Sequence, residues 1–394
     1  MRLTERIQLK KSTALSQLCH RAKNLYNLAN YTIRQRFFKD RHWYRYYYLN
    51  GLLNQATAYR ALPIQTSQQI LRLLDKNWKS FFRAMNDWKI NPEKYQGGPR
   101  LPRYKPKNGE SIVIFTNQQC RIKNGYLHFP KQVVPPMKTR FAGRFQQVRL
   151  LPKGTYYIVE IIYDCASIYL DLPKDRILMI DLGLNNLVTG ANNVGLPPFV
   201  IKGGVVKSIN QFYNKEQSRL SSIKDKQMIR GQTIRLQRLT LKRNNKIQDF
   251  FHKASKKIID YCIVNEFGTI IIGYNAGWKQ NINIGKRNNQ NFVYIPLQKL
   301  IHKIQYKARL VGIEVILEDE GYTSRCSFLD NEPIKRHKVY LGKRISRGLF
   351  QAGDGTIINA DVNSGYNIGR KAIPNAFSAD GIEGLGLHPY SMPI

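Results

Sequence analysis

From residue 174 onward, short unbroken apolar runs alternate with longer stretches whose apolar residues recur at helical spacing. The runs are Ile177-Leu178-Met179-Ile180, Thr269-Ile270-Ile271-Ile272 and Val315-Ile316-Leu317. Between and around them lie a long basic helical stretch over residues 207–257 and an amphipathic one over 297–310. Apolar runs of strand length alternating with helices are the pattern of an α/β domain, expected here over residues 174–373.

The sequence ahead of that point is built differently. The first ten residues alternate weakly, as one strand would. Apolar residues at Leu15, Leu18, Ala22, Leu25, Leu28, Ala29 and Ile33 predict a helix over 12–36, and Ile70, Leu73, Leu74, Trp78, Phe81, Phe82 and Met85 predict another over 67–88. Between the helices stands Arg41-His42-Trp43-Tyr44-Arg45-Tyr46-Tyr47-Tyr48. Such a basic aromatic cluster suits stacking on unpaired bases, and equally an aromatic core corner between two helices. A Pro/Gly-rich basic connector, residues 97–107, leads to short runs at 111–116, 126–129, 147–151 and 156–163. Turn signals such as Lys123-Asn124-Gly125 and Pro152-Lys153-Gly154 separate these runs, which read as a small antiparallel β-domain.

Charge restricts the partners. The 394 residues include 63 Lys and Arg against 26 Asp and Glu, a formal net charge of +37. With 42% hydrophobic residues the chain is no disordered basic tail, so a folded protein must carry this excess. Nucleic acid is the commonest polyanion that neutralises such a surface; a ribosomal-type scaffold and an anionic membrane surface are the alternatives. No apolar stretch approaches the roughly 18 residues of a membrane-spanning helix, and the start lacks the apolar core of a secretion signal. Five scattered cysteines, Cys19, Cys120, Cys165, Cys262 and Cys326, form no C-x-x-C pair and fit a reducing compartment, so a cytoplasmic protein is expected. The seven histidines provide no His-hydrophobic-His pair, which disfavours transposition by a catalytic tyrosine.

Two acidic residues stand out against this background. Asp181 closes the run 177–180, and Asp361 lies in Asn359-Ala360-Asp361-Val362-Asn363, the expected start of a helix. A carboxylate at an apolar strand end carries a desolvation cost that a divalent metal offsets, and metal-bridging carboxylates serve phosphodiester hydrolysis. An ion pair for Asp181 and a helix cap for Asp361 remain the plainer readings.

Several segments, in order, closely resemble the TnpB family, the OrfB products of small insertion sequences and relatives of type V CRISPR nucleases. They include Ile180-Asp181-Leu182-Gly183-Leu184-Asn185-Asn186-Leu187, Arg243-Asn244-Asn245-Lys246, His252-Lys253-Ala254-Ser255, Gly273-Tyr274-Asn275-Ala276-Gly277-Trp278-Lys279-Gln280, Tyr322-Thr323-Ser324, Gly342-Lys343-Arg344 and Asn359-Ala360-Asp361-Val362-Asn363, with Pro102-Arg103-Tyr104-Lys105-Pro106-Lys107 upstream. The resemblance implies a transposon-associated, Mg²⁺-dependent RNA-guided DNA endonuclease of α+β multidomain build. It implies a β-barrel wedge domain (residues 1–12 and 95–173), an inserted helical recognition domain (13–94) and an RNase H-like (RuvC) α/β nuclease domain (174–373). Residues 374–394 are expected to be a flexible tail. The implied partners are a guide RNA from the transposon end and double-stranded target DNA next to a short flanking motif, so that pairing reads sequence while the cations hold phosphates. On this basis Trp43, Tyr44, Arg45, Arg103, Tyr104, Lys105, Arg243, Lys246, His252, Lys253, Lys279, Lys343, Arg344 and Arg347 are expected to contact nucleic acid.

The chain departs from the family pattern twice. The family's Asp, Glu, Asp triad has its glutamate at the end of the second apolar strand, where this chain has Gly273. Either the protein is a nuclease-inactive, RNA-guided DNA-binding repressor, or another carboxylate has taken over. The supplier expected is Glu320, at the end of a strand within Glu314-Val315-Ile316-Leu317-Glu318-Asp319-Glu320-Gly321-Tyr322, with Glu318 as second choice; strand alternation would put both on one face and Asp319 on the other. Otherwise 318–320 is a solvated acidic turn. Asp181, Glu320 and Asp361 are then expected to hold two Mg²⁺ ions. The second departure is the missing pair of C-x-x-C motifs near Cys326, so no structural zinc is expected.

Overall fold

The structure is a computed structural model and describes residues 1–130, 134–275, 295–374 and 387–394. The chain divides into two compact units, Met1–Cys165 and Ala166–Ile394.

In the first unit, strand β1 (Arg2–Lys10) is followed by helices α1 (Thr13–Asp40), α2 (Tyr46–Leu53), α3 (Thr57–Arg60) and α4 (Ile64–Ile90), then by strands β2 (Val113–Thr116), β3 (Arg121–Lys123), β4 (Tyr126–His128), β5 (Met137–Lys138), β6 (Phe145–Pro152) and β7 (Tyr156–Asp164). Burial alternates residue by residue along β1, which pairs antiparallel with β7 over its whole length. Helix α1 starts where Ser12 Oγ accepts the Leu15 amide at 3.3 Å, a side-chain N-cap. The Asn124-Gly125 turn between β3 and β4 has φ of 51° and 74°, the left-handed pair that a tight hairpin requires. Among the described residues the strands pair as one sheet in the order β1-β7-β6-β2 and a second in the order β3-β4-β5, and no pairing closes them into a barrel. Nor do the helices have a core of their own: Leu25 and Trp78 share one apolar cluster with Phe115, Val148 and Val159.

The second unit contains β8 (Ile177–Asp181), β9 (Asn186–Asn192), β10 (Phe199–Lys202), α5 (Gly204–Lys226), α6 (Ile234–Val264), β11 (Thr269–Gly273), α7 (Leu297–Leu310), β12 (Glu314–Glu318), β13 (Lys343–Ser346), β14 (Leu349–Gln351), β15 (Ile357–Asn359), α8 (Ala360–Ala372) and β16 (Tyr390–Ser391). Among the described residues its main sheet has the order β12-β11-β8-β9-β10-β16. Strands β8, β11 and β12 run parallel, whereas β9 is antiparallel to both β8 and β10. The runs in β8 and β11 are apolar on both faces because both faces are covered. Leu178, Ile180, Ile270 and Ile272 pack with Phe251, Ile258, Leu300 and Ile304 of α6 and α7, while Met179 and Ile271 pack with Val362, Tyr366 and Ile368 of α8.

Three expectations need correction. The single basic helical stretch 207–257 is a hairpin of α5 and α6, broken where Met228 (φ 52°) and Gly231 (φ 84°) adopt left-handed backbone. The second unit begins before residue 174, because the amides of Ile168 and Leu170 bond to the carbonyls of Leu310 and Val311. The chain end, expected to be flexible, adds β16 parallel to β10 with Phe199 opposite Tyr390, and Met392 is buried.

Candidate active site

Strand β8 carries Asp181 to the C-terminal edge of the sheet, the edge where parallel strands present their loops to ligands. Ile272 pairs with Ile180, so Gly273 lies at the level of Asp181 on the next strand. A methyl group on Gly273 would overlap Glu320 Oε1, stand 2.7 Å from Glu320 Cγ and stand 2.6 Å from Ile368 Cδ1. The Glu320 carboxylate therefore lies against the backbone of Gly273, in the space a side chain at 273 would need. The glycine is what makes that approach possible.

Glu320 gets there by leaving the strand. β12 ends at Glu318, which is paired with Gly273, and its carbonyl accepts the Tyr274 amide at 2.8 Å. Beyond it the chain turns: the Glu320 carbonyl accepts Thr323 Oγ1 at 3.0 Å, and Tyr322 adopts φ 66°. Asn367 Nδ2 donates to the Thr323 carbonyl at 2.9 Å and so ties this turn to α8. Asp319 is drawn away, accepting Lys371 Nζ at 2.8 Å. The expected strand alternation through residue 320 thus stops two residues early, and a turn does the placing.

Asp361 sits in the first turn of α8, whose start is capped by Asn359 Oδ1 accepting the amides of Asp361 (3.0 Å) and Val362 (3.2 Å). Its carboxylate accepts Asn186 Nδ2 at 2.8 Å, and Arg344 Nη2 approaches at 3.4 Å. Removal from water pushes the Asp181 carboxyl up to about 7; repulsion from Asp361 adds to this, while Arg344 and the Leu182 amide oppose it. Burial likewise pushes Glu320 up to about 9, with Asp181 and Asp319 adding repulsion. Glu320 Oε1 is buried and has no hydrogen-bond partner.

These features suit a divalent cation: hard oxygen donors, too little positive charge near them, and one acceptor with nothing to accept. Among the described residues no three acidic, histidine or cysteine side chains already converge as a ligand cluster.

The expected nucleic-acid contacts fall into several environments. Lys343 and Arg344 lie on β13, with Arg347 in the turn after it; burial, and then Arg347, lower the pKa of Lys207, which is held by the Asn185 side chain. Arg243 lies over the Tyr213 ring at 5.4 Å and donates to Asn210 at 2.9 Å, one turn from Lys246. His252 is neutral rather than cationic: burial, Lys303 and Lys307 lower its pKa to about 4, and Lys303 Nζ stands 2.8 Å from its Nε2. Lys253 pairs with Asp249 at 2.8 Å. In the first unit Trp43 stacks on the core residue Trp78 (6.2 Å, 15°), so the packing reading describes it. Arg45 covers Trp43 and lies 3.6 Å from Asp75, and Tyr44 stacks on Tyr48 at 4.5 Å. Arg103, Tyr104 and Lys105 line an open cleft of about 420 Å³ with Arg100, and the Arg34 guanidinium covers Tyr104. Lys279 lies outside the described residues.

Asn186, Thr323, Lys303 and Lys307 were not singled out in the sequence. Asn186 and Thr323 sit inside quoted motifs, and Lys303 and Lys307 stand one turn apart on α7. Around Cys326 hydrogen bonds organise the turn: its thiol points at the carbonyls of Pro333 (3.4 Å) and Lys335 (3.6 Å), and the buried Glu332 carboxylate accepts the amides of Ser327 (2.7 Å) and Leu341 (3.0 Å).

A family model described as OrfB_IS605, probable transposase, matches residues 173–279, and a Cas12f1-like TNB domain matches residues 298–368. TnpB-like protein ORF457 of Acidianus two-tailed virus is 23% identical over 91% of this chain and 83% of its own length. The CRISPR-associated endodeoxyribonuclease Cas12f2 of a Micrarchaeota archaeon is 26% identical over 56% of this chain and 41% of its own. In fold, the chain is similar to Cas12f1 in a complex with sgRNA and target DNA (TM-score 0.53, 15% identity, 90% of this chain and 81% of that one). It is also similar to the mini-RNA-guided endonuclease CRISPR-Cas_phi3 (TM-score 0.54, 9% identity, 98% and 93%). By the two family matches and the viral relative that spans most of its length, this chain is similar to the TnpB family, and it shares the α+β fold of the Cas12f1 and Cas_phi3 structures.

Proposed function

We propose that this chain is an active RNA-guided DNA endonuclease whose RuvC-type site uses Asp181, Asp361 and, from the turn after β12, Glu320. The observation that carries the reading is the Glu320 carboxylate lying over Gly273, beside Asp181. A repressor that had lost its glutamate would have no reason to fill the vacated space with a carboxylate whose Oε1 is buried without a partner, since that costs stability.

Asp181, Glu320 and Asp361 would hold Mg²⁺, which when bound supplies charge neutralisation and Lewis acidity at the phosphodiester. The chain's own residues do the rest. Asn186 fixes one oxygen of Asp361, and Thr323 fixes the backbone of Glu320. Arg344, at the edge of the site, is placed to meet an entering phosphate. Guide RNA, double-stranded target DNA and a short flanking motif complete the proposal, on the strength of the relatives' printed activities and the net charge of +37.

The test is a transfer of the carboxylate. The protein is purified with RNA from its native locus and given a guide-matched DNA carrying random flanks. Asp181→Ala and Glu320→Ala should each lower Mg²⁺-dependent cleavage more than about 100-fold, the upper end for residues that only support ligands, while Glu318→Ala should cleave. Gly273→Glu combined with Glu320→Ala should recover cleavage that neither change supports alone. Guided binding with no product from the unaltered protein, under any divalent metal, would establish the repressor instead.

A further inference from the structure

The α5–α6 hairpin holds a cleft of about 200 Å³, remote in sequence from the three carboxylates. One wall is Ser208, Ile209, Phe212 and Tyr213 of α5; the other is Leu239, Lys242, Arg243 and Lys246 of α6. Both sets follow helical spacing, so each helix presents one continuous stripe to the cleft. The floor is apolar and the second wall is cationic, and among the described residues no carboxylate lines it. Phe212 is 59% exposed, unusual for a phenylalanine on a helix whose neighbours Val206, Asn210 and Tyr213 are buried. Arg243 is already set: it lies over the Tyr213 ring at 5.4 Å, and its Nε donates at 2.9 Å to Asn210, which is 1% exposed.

We infer that this cleft takes an unpaired nucleotide, its base stacked on Phe212 and its flanking phosphates met by Lys242 and Lys246. An exposed ring beside a row of cations matches the two faces of a nucleotide, an apolar π surface and an anionic linker. A duplex would offer only phosphates and leave Phe212 uncovered. Single-stranded RNA and displaced single-stranded DNA share this chemistry. The inference rests on the nucleic-acid-binding half of the proposed function and is independent of the nuclease site.

The test uses the full chain and two short single-stranded probes of one sequence, RNA and DNA, each carrying 2-aminopurine. Phe212→Ala should weaken binding about tenfold and relieve the fluorescence quenching; Phe212→Trp should retain both, and Phe212→Leu should not. Lys242→Gln should make binding less steeply dependent on salt. A loss confined to the RNA probe would assign the site to the guide, and one confined to the DNA probe to the displaced strand. Binding indifferent to Phe212→Ala, or equally served by leucine and tryptophan, would overturn the inference while leaving the proposed function standing. An unaltered chain that binds neither probe would overturn both.

Discussion

Gly273 and Glu320 show why a site is read from space rather than from position. Gly273 lies where the family has its glutamate, and on its own it suggests loss of function. With Glu320 folded over it, the same glycine is a requirement. Gly273→Ala would push a methyl group into Glu320 and Ile368; overpacking of this kind costs about 1–3 kcal/mol. The expected result is a lower Tm together with reduced cleavage, read by thermal unfolding and the DNA assay. The raised carboxyls also make a statement about pH. Glu320 is pushed up to about 9 and Asp181 to about 7, so the folded state holds their protons better than the unfolded chain does. Their contribution is therefore present at acidic pH and is lost as pH rises through the range between the ordinary carboxylate value and those figures. In EDTA at pH 8, Glu320→Gln should raise Tm by about 2–4 °C for each kcal/mol gained in a unit of this size, while abolishing cleavage. An unchanged or lowered Tm would show that the carboxylate is not strained in the metal-free protein.

At the level of elements, the turn after β12 and the segment 322–341 matter most. Thr323 holds Glu320 by its carbonyl and is itself held by Asn367 of α8, so α8 positions two of the three acids. The neighbouring turn is closed by Glu332, 2% exposed, which accepts the Ser327 and Leu341 amides. Glu332→Ala leaves both amides without a partner, at about 1–3 kcal/mol for each buried group. Local hydrogen exchange over 326–341 should rise strongly, and cleavage should fall because the Glu320 turn is attached to this segment. Elements short of strong periodicity were the ones hidden in the sequence: β9, with Gly190 and two asparagines, and the three-residue strands β14 and β15. Long periodic segments such as α1, α4 and α7 were legible because an amphipathic face repeats many times along them.

For the whole molecule, the excess of cations governs binding. Any nucleic acid held mainly through phosphates should lose affinity steeply with salt, by about a thousandfold or more between 50 and 200 mM when six to ten phosphates are engaged. Filter binding of the co-purified RNA across that range checks this, and a shallow slope would mean that little of the +37 is used.

The sequence by itself pointed to a polyanionic partner, to the α/β character of the second unit, and to Asp181 and Asp361 as the acids to weigh. Net charge, periodicity and strand ends are properties of composition and local order, and they survive without knowledge of distant contacts. Only the tertiary structure decided that Glu320 lies against Gly273, that Trp43 packs in a core, and that residues 390–391 complete a sheet edge. Each of these depends on which surfaces meet across long stretches of chain. Whether a carboxylate reaches the carboxylate beside it is settled by packing, not by the residues adjacent to it in sequence.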